Sequence, residues 1–246
     1  MKNEILRFQR ECYAAYIRDI RKTVPEIPDP YVYPDRNSVK PVMPVKTARE
    51  SIMVIGAFPF ARYEIRYGLL IPVADNLSPF ASEEYFDGAN IRTNISREWL
   101  DRDYFHRLDI NVDEIWLTNL VKVFLFNDKL KTNCEIAAPG IKFANTYELF
   151  PDIAKASMKW MKKEISICNP KLIITLGEIP AKVISDDFDT SNEELLNGEV
   201  RNVIYDRQYK IAHLGHPEIQ KMSIEWNKRY EGAISRLAEE LKSNEL

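Results

Sequence analysis

The stretch NPKLIITLGEIPAKVI, residues 169 to 184, decides the predicted fold. After a proline start, the apolar run LIITL has the length and composition of a strand that is buried on both faces. Gly177 closes this run, and Pro180 falls in the first turn of the helix predicted to follow, where proline is tolerated. The stretch therefore predicts a buried strand that leads directly into a helix.

Three further stretches contain short apolar strands of the same kind. They are SIMVIGAFPF (51 to 60), EIWLTNLVKVFLF (114 to 126) and YKIAHL (209 to 214). Helical patterns separate or follow these strands, and strands that alternate with helices form a parallel sheet covered on both faces. We predict a three-layer α/β/α fold with a central, mainly parallel four-stranded sheet, built by a single domain over residues 1 to 246.

The remaining segments are less regular. An amphipathic helix is predicted over residues 2 to 23, and the six prolines that follow predict an extended surface connection over residues 24 to 45. Between 61 and 110 we predict one helix, around SREWLDRDYFHRL. The predicted apolar positions of the first helix are Ile5, Leu6, Phe8, Tyr13, Ile17 and Ile20.

Composition excludes several classes of protein. No segment approaches the roughly 20 apolar residues of a membrane span, and the N-terminus is too charged for a signal peptide, so we expect a cytoplasmic protein without a membrane partner. Three widely spaced cysteines fit a reducing compartment. The net charge of -3 gives no global case for nucleic acid, so any basic face is local. We expect no cofactor, since neither a dinucleotide nor a phosphate-loop fingerprint is present. We also expect a monomer.

Polar residues and glycine cluster where the predicted strands end. Gly56, Asn119 and the run His213 to Glu218 all fall at the carboxyl ends of strands, where ligands bind in open α/β sheets. Asn119 could tie neighbouring backbone together, or present a donor and an acceptor to the edge of a planar ligand. His216 could be a turn histidine held by Pro217, or a reactive group.

The ordered motifs VIGAFPF, WLTNLVKV, NPKLIITLGEIPAKVI and HLGHPEI resemble the uracil-DNA glycosylase superfamily, and most closely its branch that carries an iron-sulfur cluster. The similarity covers about residues 50 to 235. It implies a first-motif loop, Gly56, Ala57, Phe58 and Pro59, that approaches a flipped nucleotide. It also implies that Phe80 stacks on the base, that Asn119 reads the base edge, and that His216 stabilises charge on the departing base.

The sequence departs from this family in two ways. Ala57 and Phe58 stand where the family has a polar residue that positions water, so Glu64 and Asp75 are predicted as catalytic substitutes. Val123 stands where the branch has a cluster cysteine, so we predict no metal cluster. His213 and His216, three residues apart without spaced cysteines, do not indicate zinc.

DNA, damaged or single-stranded, is the partner that the resemblance implies. Lys122 is a candidate phosphate contact, and Pro217, Ile219 and Gln220 follow the histidine where a wedge residue is expected.

The implied function is a base-excision hydrolase that flips uracil or a deaminated purine and cleaves its N-glycosidic bond. The alternative is a non-catalytic nucleobase- or nucleic-acid-binding protein on the same fold, because the water-positioning residue is missing. A small-molecule enzyme on this scaffold is disfavoured by the lack of a cofactor fingerprint.

Overall fold

The computed structural model of the protein describes residues 2 to 86, 89 to 94, 96 to 217 and 223 to 243. Contacts within the chain divide it into two compact units. Unit 1 comprises Met1–Met43, Phe58–Ile95 and Val121–Ser157, and unit 2 comprises Pro44–Ala57, Ser96–Leu120 and Met158–Leu246. The single domain of the sequence analysis stays a prediction.

The strands and helices alternate along much of the chain, as predicted. The strands are β1 (Ile52–Gly56), β2 (Ala61–Arg66), β3 (Leu69–Asp75), β4 (Glu83–Phe86), β5 (Ile91–Asn94), β6 (Ile115–Asn119), β7 (Leu172–Leu176), β8 (Arg201–Ile204) and β9 (Gln208–Leu214). The helices are α1 (Lys2–Arg21), α2 (Ser96–Trp99), α3 (Asp128–Ala137), α4 (Phe150–Cys168), α5 (Glu178–Ser185), α6 (Asn192–Leu195) and α7 (Ile224–Lys242).

Unit 2 contains a five-stranded sheet in the order β6, β1, β7, β9, β8. The first four strands are parallel neighbours, and every residue of β6 and β7 is buried. Such uninterrupted burial is what a parallel sheet covered on both faces requires. The predicted α/β class with a central, mainly parallel sheet is confirmed, and the sheet has five strands instead of four.

The additional strand is β8, which pairs antiparallel with β9. The two strands form a hairpin in which Ile204 lies opposite Gln208. In β8 only Val203 is buried, while Ile204 is largely exposed. A short edge strand with one buried side chain carries too little apolar periodicity to be recognised from sequence.

The predicted helix around residues 96 to 108 is present in a modified form. It begins as α2 and continues as a π-helical segment over Leu100–Phe105. The wider turn is closed by the amide of His106, which donates to the carbonyl of Asp101 at 2.9 Å. Leu100, Tyr104 and Phe105 are buried, so this segment packs in the core of unit 2.

Helix α1 ends at Arg21, two residues before the predicted end. Its buried side chains recur every four residues, and they are Phe8, Cys12, Tyr16 and Ile20. The prediction that Leu6 and Tyr13 belong to the apolar face was wrong, since both are exposed. The buried face of α1 is therefore narrower than the predicted apolar face, and it includes a cysteine at position 12 and a tyrosine at position 16.

The proline-rich connection over 24 to 45 is irregular, as predicted, but it is not a surface segment. Tyr31 is buried and donates a hydrogen bond to the carbonyl of Phe124 at 2.6 Å. The Tyr33 ring lies 6.2 Å from that of Phe124 and 6.0 Å from that of Phe126. Prolines prevent a strand here, yet the aromatic side chains between them still build part of the core of unit 1.

Two antiparallel hairpins of unit 1 were absent from the sequence prediction. Strand β2 pairs with β3, and β4 pairs with β5. In the described part of the chain, no helix combines the length and apolar character of a membrane span.

Candidate functional site

The carboxyl edge of the unit 2 sheet brings two of the predicted site residues together. Gly56, the last residue of β1, lies opposite Asn119, the last residue of β6, in the parallel register. The amide of Leu120 then donates to the carbonyl of Gly56 at 2.8 Å. Both strand ends are therefore held by backbone hydrogen bonds, and the position of Asn119 is set by the sheet.

Asn119 is only 2% exposed, and its Nδ2 donor has no hydrogen-bond partner in the described structure. A buried donor left unsatisfied costs about 1 to 3 kcal/mol, so an amide held only for structure would normally be paired. Of the two interpretations left open by the sequence, a tie to neighbouring backbone does not account for this atom. The role of Asn119 in reading a base edge stays a prediction.

The end of β9 places His216 near the end of β7. The amide of Gly177 donates to the carbonyl of Leu214 at 2.8 Å, which joins the two strand ends. A Cβ built on Gly177 would lie 3.8 Å from the Cβ of His216. The hydroxyl of Tyr104 donates to the carbonyl of Gly215 at 2.6 Å. His216 is half-buried and follows this anchored peptide directly.

His213 is a buried polar residue that was predicted to lie in the strand-end cluster, without a specific chemical role. Its Nδ1 lies 2.7 Å from Thr175 Oγ1 on the neighbouring strand, and its Nε2 has no partner among the described residues. Burial lowers the pKa of the imidazole to about 4, with a further lowering from Arg201. His213 is therefore neutral at pH 7. Its place within the predicted strand YKIAHL was the signal available in the sequence.

The first-motif loop continues into unit 1, where Phe58 joins an aromatic cluster. Its ring centroid lies 5.8 Å from that of Tyr147 and 5.2 Å from that of Phe150, both in edge-to-face geometry. Tyr147 is exposed, whereas Phe150 is buried. The position where a water-handling side chain was sought is thus occupied by a ring that packs on other rings. Sequence reasoning did not single out Tyr147.

Phe80 lies in a turn after β3 and has the positive φ of 54°. Aromatic residues rarely adopt this left-handed conformation, which costs about 1 kcal/mol or more. The ring is half-buried within unit 1. Its predicted role as the stacking surface for a base stays a prediction.

Asp75 has structural partners within unit 1. It accepts a hydrogen bond from the hydroxyl of Tyr33 at 2.9 Å and from the amide of Lys40 at 3.0 Å. Burial raises the pKa of this carboxyl, although the two donors act in the opposite direction. The carboxylate therefore ties the proline-rich connection to the end of β3, which argues against its predicted role in positioning water.

Glu64 has a different partner. It is exposed and accepts hydrogen bonds from Arg66, whose Nη2 lies 2.9 Å from Glu64 Oε2. The same guanidinium donates to both carboxylate oxygens of Asp35. Glu64 thus belongs to a surface ion-pair group, and these contacts argue against its predicted catalytic role as well.

The uracil DNA glycosylase superfamily model matches residues 44 to 228, which include all five strands of the unit 2 sheet. The chain belongs to the uracil DNA glycosylase superfamily. The resemblance drawn from the four sequence motifs is confirmed. A comparison with individually curated proteins gives no significant match.

Superfamily membership makes DNA the expected partner and gives the strand-end residues of unit 2 their context. Helix α1 and most of the proline-rich connection lie before the matched region. The cysteines at positions 12, 134 and 168 are buried thiols, and burial raises the thiol pKa of Cys134 to about 12. Among the described residues no group of three potential metal ligands is found, and the absence of a cofactor stays a prediction.

Two of the four residues predicted to contact DNA lie within the described residues, and both are buried. Lys122 is fully buried in unit 1, and a phosphate contact needs an accessible ammonium, so burial argues against this residue as a DNA contact. Pro217 is buried and lies three residues after the end of β9. Ile219 and Gln220 lie outside the described residues.

Proposed function

We propose that the chain recognises a deaminated base extruded from DNA and cleaves its N-glycosidic bond. The observation that carries this proposal is the Asn119 Nδ2 donor, which is buried at the carboxyl edge of the sheet without a partner. Membership of a DNA-glycosylase-like superfamily supplies the ligand class.

The chemistry of this donor favours a base that offers a carbonyl oxygen. Deamination replaces an exocyclic amino group, which is a hydrogen-bond donor, by a carbonyl, which is an acceptor. The unpaired Nδ2 would therefore donate a hydrogen bond to the carbonyl of uracil or hypoxanthine. It would disfavour cytosine or adenine, because two donors that face each other both stay unsatisfied. A site built on hydrogen bonds of this kind can discriminate far more strongly than an apolar pocket.

His216 is proposed as the donor that stabilises the departing base. It lies near the end of β7, which is two strands from β6 in the sheet order. Two strand spacings amount to about 10 Å, which leaves room for one planar base between side chains reaching in from both strand ends. Cleavage places negative charge on a base oxygen, and a positioned donor at that oxygen lowers the barrier by about 3 to 4 kcal/mol.

Cleavage by this route is expected to be slow. The two predicted carboxylates, Glu64 and Asp75, have partners of their own in unit 1. Positioned general bases contribute typically 10²- to 10⁴-fold to a rate, so a site that relies on leaving-group stabilisation alone is slower by about that factor. The proposal therefore predicts turnover that is best detected with enzyme in excess over substrate.

A second candidate is recognition of the base without hydrolysis. The observation that favours it is the packing of Phe58 against Tyr147 and Phe150 in place of a water-handling side chain. In this reading Asn119 still selects the base, and the chain binds deaminated DNA without releasing the base.

The test is a single-turnover cleavage assay on oligonucleotides that contain uracil, hypoxanthine, cytosine or adenine at one position. Wild type, Asn119→Ala, Asn119→Asp and His216→Ala are compared, with binding measured in parallel on the same DNA. Since Asn119 Nδ2 has no hydrogen-bond partner to lose, Asn119→Ala is expected to retain the fold, and thermal unfolding checks this.

The glycosylase proposal expects release of the base from uracil or hypoxanthine DNA, reduced at least about 100-fold by Asn119→Ala and by His216→Ala. Asn119→Asp removes the donor and is expected to weaken the preference for carbonyl-bearing bases. Selective binding without release would establish the second candidate. Wild-type protein that neither binds nor cleaves any of these substrates would overturn both.

A further inference from the structure

The π-helical segment Leu100–Phe105 of unit 2 carries a tyrosine that binds the peptide preceding His216. Tyr104 is 1% exposed, and its hydroxyl donates to the carbonyl of Gly215 at 2.6 Å. Burial raises the pKa of this hydroxyl well above its ordinary value of 10, so it is protonated and donates at neutral pH. The peptide before His216 is therefore held by a side chain that lies 111 residues away in sequence from Gly215.

This hydrogen bond restricts the most flexible link before His216. Gly215 has no side chain to limit rotation of its backbone. The carbonyl of Leu214 is already fixed by the amide of Gly177, at 2.8 Å. The Tyr104 hydroxyl fixes the next carbonyl along the chain, and because the peptide group is planar, the Cα of His216 is fixed with it.

The backbone on the other side of His216 is restricted by proline. A residue that precedes proline avoids the helical region and adopts an extended conformation. Pro217 is itself buried, so its ring is held by packing. With the preceding carbonyl bound and a proline following, the direction of the Cα–Cβ bond of His216 is set by the backbone. The hydroxyl of Tyr104 thus contributes to where the imidazole can reach.

Tyr104 is itself held by the closing helix of unit 2. Its ring centroid lies 5.3 Å from that of Tyr230 on α7. The hydroxyl of Tyr230 donates to the carbonyl of Asp103, the residue before Tyr104. The guanidinium of Arg107 lies 5.5 Å from the centroid of the same Tyr230 ring. Single π-helical turns are rare and occur frequently at functional sites, and a segment fixed in this way suits a positioning role.

We propose that Tyr104 is a positioning residue that holds the imidazole of His216 where negative charge develops on the departing base. The inference rests on the proposed function, in which His216 donates to that base. A group displaced by about 1 Å from its productive position can lose about 100-fold in rate. Tyr104 acts through the backbone and does not touch the base, so the affinity for DNA should not depend on its hydroxyl.

The first test uses Tyr104→Phe, which removes the hydroxyl and keeps the ring, and Tyr205→Phe as the matched control. Tyr205 also lies in unit 2, and its hydroxyl donates to a backbone carbonyl, that of Ile184. It lies before the amino end of β9, whereas His216 follows the carboxyl end of that strand. Single-turnover cleavage and binding of a uracil oligonucleotide are measured for both variants and wild type.

Tyr104→Phe should slow single-turnover cleavage by about 10- to 100-fold, while Kd for the same oligonucleotide changes by less than about twofold. Tyr205→Phe should lower the melting temperature by a similar amount, since it also loses a hydroxyl donor, but should cleave at the wild-type rate. In a His216→Ala background, Tyr104→Phe should cause no further loss of rate, because its effect passes through the imidazole.

The second test follows the imidazole by side-chain NMR and needs no cleavage. The chain has only three histidines, so their signals can be assigned by substitution. The His216 signal should shift or split in Tyr104→Phe and keep its wild-type position in Tyr205→Phe. His213 is the internal reference, because Thr175 on the neighbouring strand holds its ring.

An unchanged His216 signal in Tyr104→Phe would overturn this inference, whether or not the protein cleaves DNA. It would also be overturned by an unchanged cleavage rate in an active enzyme, by an equal loss in Tyr205→Phe, or by a loss that persists in the His216→Ala background. Each of these results would leave the proposed function standing. A shifted His216 signal in a protein that cleaves no substrate would support the positioning by Tyr104 and reject the glycosylase.

Discussion

The two units position their predicted site residues by different means. In unit 2, Gly56 and Asn119 are placed by the register of β1 and β6, so hydrogen bonds of the backbone fix them. In unit 1, Asp75 is held by the Tyr33 hydroxyl and the Lys40 backbone amide, both distant in sequence. Glu64 is held by Arg66, two residues away, whose guanidinium also binds the distant Asp35. A sheet edge can be predicted from strand periodicity, whereas such side-chain pairs cannot.

The largest expected effect is a loss of stability, and it follows from comparing one glycine in each unit. In unit 2 a Cβ on Gly198 would lie 2.1 Å from the carbonyl oxygen of Ala233, so Gly198→Ala forces the backbone of α7 to move. We expect a loss of at least about 3 kcal/mol in the free energy of unfolding. In unit 1, Gly140 has a similar positive φ but nothing within 4 Å, so Gly140→Ala should cost only about 1 kcal/mol.

Urea unfolding of both variants gives the two values. Equal losses would contradict the difference in packing and leave only the shared cost of the left-handed conformation.

The next effect concerns the pH dependence of unit 2. The folded pKa of His213 is about 4, below its ordinary value of 6.5, so between these values the unfolded state binds more protons. Stability is therefore fully present above pH 6.5 and is lost as pH falls toward 4, by up to about 3 kcal/mol. His213→Gln should flatten this part of the stability profile.

His106→Gln is the matched control, since His106 is exposed in the same unit. Urea unfolding at several pH values measures both profiles. A slope that His213→Gln leaves unchanged would assign the pH dependence to other groups.

A smaller effect is expected when the anchor in unit 1 is removed. Asp75→Ala leaves the Tyr33 hydroxyl and the Lys40 amide without their acceptor, which should cost about 2 kcal/mol of unfolding free energy. Asp75→Asn retains an acceptor and should cost less than half of that. In both variants the single-turnover cleavage rate of the folded protein should equal that of wild type.

This comparison also decides whether Asp75 handles water. A variant Asp75→Asn that is stable but has lost cleavage would restore the catalytic role predicted from sequence.

The smallest effect is expected for Glu64→Gln. Glu64 is exposed, and Arg66 keeps its contacts to Asp35. Surface ion pairs contribute about 0 to 1 kcal/mol, so stability should change by less than about 0.5 kcal/mol. Cleavage should also be unchanged, and a large loss of cleavage in the assay would show that Glu64 acts in the reaction after all.

Much of unit 2 could be predicted because burial on both faces leaves an apolar run that is visible in sequence. The strand from 172 to 176 and the helix after Gly177 appear where LIITLGEIPAKVI indicates them. Strand β8 escaped prediction because an edge strand buries few side chains. The β2–β3 hairpin of unit 1 was not predicted because both strands are only partly buried and β3 contains a proline at position 72.

Sequence by itself determined the class of fold, the superfamily and the strand-end positions of Gly56, Asn119 and His216, because these depend on local periodicity and on motif order. Tertiary structure alone decided that the donor of Asn119 is left without a partner and that Lys122 is buried. It also decided that Glu64 and Asp75 accept hydrogen bonds from Arg66 and Tyr33, respectively. The physical reason is that burial and hydrogen-bond pairing depend on residues distant in sequence, which no local pattern specifies.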